Sequence, residues 1–189
     1  MVRGKTTSTE RTKREPHVLT VRMCLIAVAI FAAGVRSDAA ETPSSVVAAF
    51  YKSYVDAPFG GIPSRAQQDA MNAGLSRRLL GLLEQARSVQ EEFIRKHPDE
   101  KPPWSDGCLF ASLFECPRRF RVSRVSRQAD GAFRVQVHFW YEDSLAGWED
   151  AVVVRREGGR LVIDDILLSG AGPFNPPGRL SSNLQWNEK

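Results

Sequence analysis

The 189 residues suffice for one domain plus extras, and no internal repeat or low-complexity segment interrupts them. The formal net charge of +4 is uneven: residues 1–39 carry 7 basic and 3 acidic residues, which leaves 19 of each in the remainder. A charge-balanced body offers no evident basic footprint, so nucleic acid is excluded as an expected partner.

Residues 1–22 are polar and basic, with Arg3, Lys5, Arg11, Lys13, Arg14 and Arg22. An apolar run over 23–35 follows. Its 13 residues fall short of the about 20 that a helix needs to cross a bilayer. With Ser37 and Ala39 as small residues at the −3 and −1 positions, the layout predicts a secretory signal peptide cleaved after Ala39. An uncleaved membrane anchor is the alternative. Cys24 opens the apolar run instead of closing it, which does not fit a lipoprotein attachment site. The expected organisation is therefore a leader over 1–39 and a single domain over 40–189. That domain is expected in the periplasm or outside the cell, with no stable membrane span after cleavage.

Thr42-Pro43 is a helix start: a capping hydroxyl, then proline at the first helical position. Val46, Val47, Phe50, Tyr51, Tyr54 and Val55 follow at helical spacing and predict a helix over 43–56. Two glycines and two prolines make 56–63 a loop. Ser64 caps a short helix to about Met71. Ser76 caps a longer one to about Lys96, whose apolar face is marked by Leu79, Leu80, Leu82, Leu83, Ala86, Val89, Phe93 and Ile94.

The segment after this helix holds Trp104, Cys108 and Cys116. Once the leader with Cys24 is gone, these two cysteines are the only pair in an oxidising compartment. A disulfide is the leading reading, ahead of a metal site or a reactive thiol. The two remaining histidines, His97 and His138, sit at no ligand spacing, and no neighbouring base is evident. Bridged Cα atoms lie within about 7 Å, whereas nine residues in a strand span roughly 26 Å and in a helix about 12 Å. The segment must then fold back on itself. Leu109, Phe110, Leu113 and Phe114 favour one irregular helical turn with those residues inward and Ala111, Ser112 and Glu115 outward.

From Arg119 the period switches to two. Phe120, Val122 and Val125 mark one strand, and Asp130-Gly131 is a hairpin turn. Phe133, Val135, Val137, Phe139 and Tyr141 mark a second, Val152 and Val154 a third. Gly158-Gly159 turns into a fourth with Leu161, Ile163 and Leu167. Helices first and strands after give an α+β fold: helices on one face of a curved four-stranded antiparallel meander. The chain from about 170 is either a fraying tail or a short helix docked through Leu180, Leu184 and Trp186.

Several pieces carry a family likeness. They are Phe50-Tyr51 with Tyr54, Gly61-Ile62-Pro63, Lys101-Pro102-Pro103 leading to Asp106-Gly107, and the 112–115 stretch Ser-Leu-Phe-Glu. Trp148-Glu149-Asp150 and the 159–166 stretch Gly-Arg-Leu-Val-Ile-Asp-Asp-Ile complete the set. In this order, across nearly the whole predicted mature chain, they resemble the uncharacterised bacterial secreted family called domain of unknown function 3828. The resemblance implies an exported cystatin-like or nuclear-transport-factor-2-like cone and supplies no chemistry. Cys108 and Cys116 depart from the family pattern, and one added bond accounts for both.

Asp150 shares strand parity with Val152 and Val154, and Asp165 with Ile163 and Leu167. Two inward carboxylates in one apolar cone are the candidate acid/base pair. The plainer alternative is that they cap turns or pair with Arg155 or Arg160. Trp104, Trp140, Trp148, Phe139 and Tyr141 either line an apolar pocket or form ordinary core. Trp104, Phe110, Phe114 and Trp148 are the candidate contacts for a small apolar ligand or an envelope protein of inhibitor or immunity type. Arg119, Arg121, Arg124 and Arg127 read as a solvated strand face, with a partner-binding stripe as the alternative. No cofactor and no metal centre is expected. Serine-hydrolase, phosphate-loop, dinucleotide and zinc-protease motifs are absent from the sequence.

Overall fold

The computed structural model describes residues 41–141, 147–170 and 177–185. The predicted leader, its cleavage point after Ala39, and Trp186 lie outside the described residues. Helix α1 spans Pro43–Asp56. Thr42 caps it: its hydroxyl accepts from Ser45 N, and the Ser45 hydroxyl accepts in return from Thr42 N, a reciprocal capping box. Helix α2 spans Arg65–Met71 behind the Ser64 cap, and a single 3-10 turn follows over Asn72–Gly74. Helix α3 spans Arg77–Lys96, with the Ser76 hydroxyl accepting from Leu79 N. All three helices fall at the positions their capping signals predict.

Five strands follow: β1 (Arg119–Arg127), β2 (Phe133–Trp140), β3 (Gly147–Glu157), β4 (Arg160–Leu168) and β5 (Gly178–Arg179), and a last turn, α4, spans Leu180–Asn183. They form one open antiparallel sheet in the order β1-β2-β3-β4-β5. Among the described residues the expected four strands thus become five. The extra one is two residues long, too short for a period of two to register in the sequence. Gly178 and Arg179 pair with the free edge of β4, and Leu180 and Leu184 are buried in the core, so the chain here is docked and not frayed. The fold class is α+β with an open sheet.

The inner sheet face carries Val135, Val137, Phe139, Val152, Val154, Ile163 and Ile166, all fully buried. Helix α1 lies on it: the Tyr51 ring centroid is 4.8 Å from that of Phe139 and 5.9 Å from that of Phe120. Helix α3 adds Leu79, Leu83 and Ala86, but Ile94, expected on its apolar face, is 48% exposed because the last turns run past the sheet-backed core. Arg87 is buried on α3 instead. It donates from Nη2 to Pro63 O at 2.7 Å and also binds Glu84 and Gln68, tying the loop before α2 to α3.

Two bulges re-aim side chains. Ser123 and Arg124 face Gln136 alone between β1 and β2, and Asp164 is the extra residue between β3 and β4. The second bulge overturns the inward placement of Asp165. Val154 pairs with Ile163, but Val153 pairs with Asp165, so the parity changes at Asp164 and Asp165 points to the outer face.

Candidate functional site

Cys108 and Cys116 form a disulfide with Cα atoms 5.2 Å apart. The segment between them folds back as predicted, with Cys108 N donating to Phe114 O at 3.1 Å. It does so as a turn and a series of bends and not as a helical turn, so the expected faces hold only in part: Phe110 is inward and Glu115 outward as expected, while Ala111, Ser112 and Phe114 are reversed. Phe110 is fully buried, and its ring lies 5.3 Å from Phe50 and 5.4 Å from Tyr54, nearly perpendicular to both. Ala111 and Ser112 are buried with it, whereas Phe114 is 54% exposed. The Phe114 ring lies over Gly107, where φ is +71° and a Cβ would come within 2.9 Å of the ring.

Two further ties hold this loop. The Tyr51 hydroxyl donates to Phe110 O at 2.9 Å. Burial pushes the Tyr51 phenol well above its ordinary range, with the Asp150 charge and then Tyr54 adding to the effect. From below, Asp150 accepts five hydrogen bonds from three residues. Ser112 gives its N–H at 2.8 Å and its hydroxyl, Ser169 gives its N–H at 2.9 Å and its hydroxyl at 3.1 Å, and Trp148 gives Nε1 at 3.2 Å. The Ser112 hydroxyl in turn accepts from Gly170 N at 3.2 Å. Every donor to Asp150 is neutral. A buried carboxylate needs such compensation, and here it is satisfied by the disulfide loop and the end of β4.

Asp165 is also buried, at 1% exposure, but on the other sheet face. It accepts from Arg179 Nε at 2.8 Å, Ser181 N at 3.0 Å, the Ser181 hydroxyl at 2.7 Å and Ile166 N at 2.9 Å. The two aspartates therefore share no pocket, and the mutual repulsion expected of an acid/base pair has no geometric basis. Asp165 pairs with an arginine as the plainer reading expected, although the partner is Arg179 and not Arg155 or Arg160. Arg155 pairs with Asp130 and Asp164.

The four candidate contact residues separate. Phe110 is core. Trp148 is half-buried; it braces Asp150 and stacks obliquely on Phe139, with centroids 5.5 Å apart. Phe114 points outward. Trp104 lines a cavity of about 360 Å³ with Asp106, Leu109, Ser112 and Leu168. It is the one non-glycine residue with positive φ, at 51°, among the described residues. Its indole Nε1 donates to Asn183 O at 2.7 Å, and a Cβ at Gly61 would come within 2.3 Å of its carbonyl oxygen. Strained backbone of this kind persists only where the surroundings over-determine it.

The expected aromatic pocket is not assembled, because Phe139 and Trp140 are neighbours on opposite faces of β2. Trp140 lies outside with His138, centroids 4.2 Å apart, and with Arg121, whose guanidinium carbon is 5.9 Å from the indole centre. Among the described residues no group of three His, Cys, Asp or Glu is placed to hold a metal, and no helix is long and apolar enough to cross a membrane.

Sequence reasoning missed Ser112 and Ser169 as partners of Asp150. The available signal was an isolated carboxylate at an inward strand position, which demands donors from elsewhere. The fold and site define an α+β domain whose disulfide loop is anchored on an open antiparallel sheet. The chain matches no family model, no curated protein and no solved structure.

Proposed function

We propose that the chain is an exported, non-catalytic α+β domain, periplasmic or secreted, of the cystatin-like or nuclear-transport-factor-2-like kind. It binds an envelope protein or a small apolar ligand through the 101–116 segment, in an inhibitor or immunity-type role. The observation that carries this is the anchoring of that segment. A disulfide, the Tyr51 hydroxyl and the Asp150 carboxylate all hold it, while Phe114 stays exposed and Trp104 borders a cavity. A loop so fixed loses little entropy on binding, and an exposed aromatic on it is the kind of anchor that dominates interfaces. Acid/base chemistry at Asp150 or Asp165 has less support, since donors already surround both carboxylates.

Capture from envelope extract tests the proposal, with mass spectrometry of proteins and of small molecules. Parent chain should retain a specific species that Phe114→Ala or Trp104→Ala loses. Identical captures by all three chains would end the proposal.

A further inference from the structure

We infer that the outer face of the sheet holds a separate site for a small amphiphilic anion, one carboxylate on an apolar body. The half-solvated face of an antiparallel sheet ordinarily alternates polar residues outward. Here Val153 of β3 and Leu167 of β4 face outward. They floor a groove of about 360 Å³, at the small end of the roughly 300–1,000 Å³ typical of ligand clefts.

Arginines frame this floor. Arg134 stands directly across from Val153, Arg179 directly across from Leu167, and Arg155 two residues along β3. Arg155 and Arg179 are occupied by Asp130 with Asp164, and by Asp165, respectively. Asp130, on the rim, is itself bound by Arg155 at 2.6 Å and by Ala132 N at 3.1 Å. Arg134 makes no ion pair among the described residues.

The neighbouring strand β1 adds Arg121 and Arg124 on the same face, exposed and likewise without an ion pair among the described residues, whereas Arg127 pairs with Phe133 and lies on the inner face. Charge that balances in number is thus unbalanced in space, and the groove opens beside a positive field that steers anions. A guanidinium next to an apolar floor takes a carboxylate through two parallel N–H donors while the floor buries the ligand's hydrocarbon. The groove shares no lining residue with the Trp104 cavity, so this inference does not depend on the binding role proposed above.

Calorimetric titration of the full chain with sodium octanoate tests the site, with octanol and inorganic phosphate as separate arms. Octanoate should saturate at one site, and Arg134→Gln should weaken it about tenfold, the loss expected for one charge-assisted pair. Arg134→Lys should recover part of the affinity, and Trp104→Ala should leave it unchanged. Circular dichroism confirms that each variant folds. Failure of octanoate to saturate, or equal binding to parent and Arg134→Gln, overturns the site. Octanol or phosphate binding as tightly as octanoate overturns the amphiphile, and loss of octanoate in Trp104→Ala alone moves the ligand to the other cavity.

Discussion

Asp150 and Asp165 stand on adjacent strands of one sheet, both almost wholly buried, and are stabilised by different physics. Asp150 faces the core and is held by neutral N–H and O–H donors alone. Asp165 faces outward and leans on Arg179, whose side chain is 53% exposed. Each carboxylate stitches another segment to the central strands, the disulfide loop in one case and β5 with the α4 turn in the other. The contrast teaches that a buried acid is not by that fact a catalytic acid. What counts is whether its lone pairs are already taken.

The largest expected effect is at the inner aspartate. Asp150→Ala strands the Ser112 and Ser169 donors and the Trp148 indole in a dry site, and should destabilise the fold by about 3–4 kcal/mol. Urea unfolding followed by tryptophan fluorescence measures it. Because the donors carry no formal charge, the loss should be nearly the same in low and in high salt. A strongly salt-dependent loss would mean that a charge outside this network holds Asp150.

Next comes the covalent tie over the same loop. Replacing Cys108 and Cys116 together by serine should cost about 2–3 kcal/mol for a loop this short. Intact mass of the non-reduced chain should first show the bridge as two missing hydrogens, with both thiols blocked to alkylation. Asp150 and Tyr51 still hold the loop after the bridge is removed, so the double variant should fold. Unfolding of the double variant would make the disulfide the principal anchor and the Asp150 network secondary.

The outer aspartate should matter less and more locally. Asp165→Ala releases Arg179 to water, which is cheap, and leaves Ser181 unpaired, for about 1–2 kcal/mol in total. Hydrogen exchange should quicken at Ser181 and Leu184 while the β2–β3 amides stay protected, and added salt should shrink the difference from the parent. Uniform quickening through the sheet would place Asp165 in the global core with Asp150.

The helical half was largely legible because its ends are local. Thr42-Pro43, Ser64 and Ser76 each satisfy an orphan N–H within three residues of themselves, and such signals survive without tertiary context. The hairpins were legible for the same reason, with Asp130-Gly131 and Gly158-Gly159 supplying positive φ at their turns. The site was not. Two of the three Asp150 partners, Ser112 and Ser169, lie 38 and 19 residues away in sequence. The bulge at Asp164 inverts the parity of Asp165 without any distinctive residue to announce it. Apolar spacing predicts a helical face for 108–116, but two closing bonds and Phe110, the residue α1 covers, decide its orientation. The arginine series of β1 is visible in the sequence, but its placement beside Arg134 of β2 depends on the strand register.

The smallest effect belongs to the bulge residue between the two regions. Asp164 is held below the ordinary carboxylate range. Burial works against that direction, but the Arg78 and Ser76 hydrogen bonds and the charges of Arg78 and Arg155 outweigh it. A depressed folded-state pKa means that Asp164 contributes its full stability above the unfolded value near 3.8, and that the contribution is lost as pH falls through the lower folded value. Arg78 and Arg155 are each nearly half exposed, so water screens them and the acid-side loss should be slighter than that of Asp165→Ala. Carbon-detected titration of the Asp164 carboxyl should place its midpoint below that of an unfolded aspartate. Arg78→Gln should move the midpoint upward, since it removes the strongest lowering partner and leaves the carboxylate as buried as before. An unchanged midpoint in that variant would transfer the role to Arg155, and with it the weight from the α3–β4 tie to the β3–β4 tie.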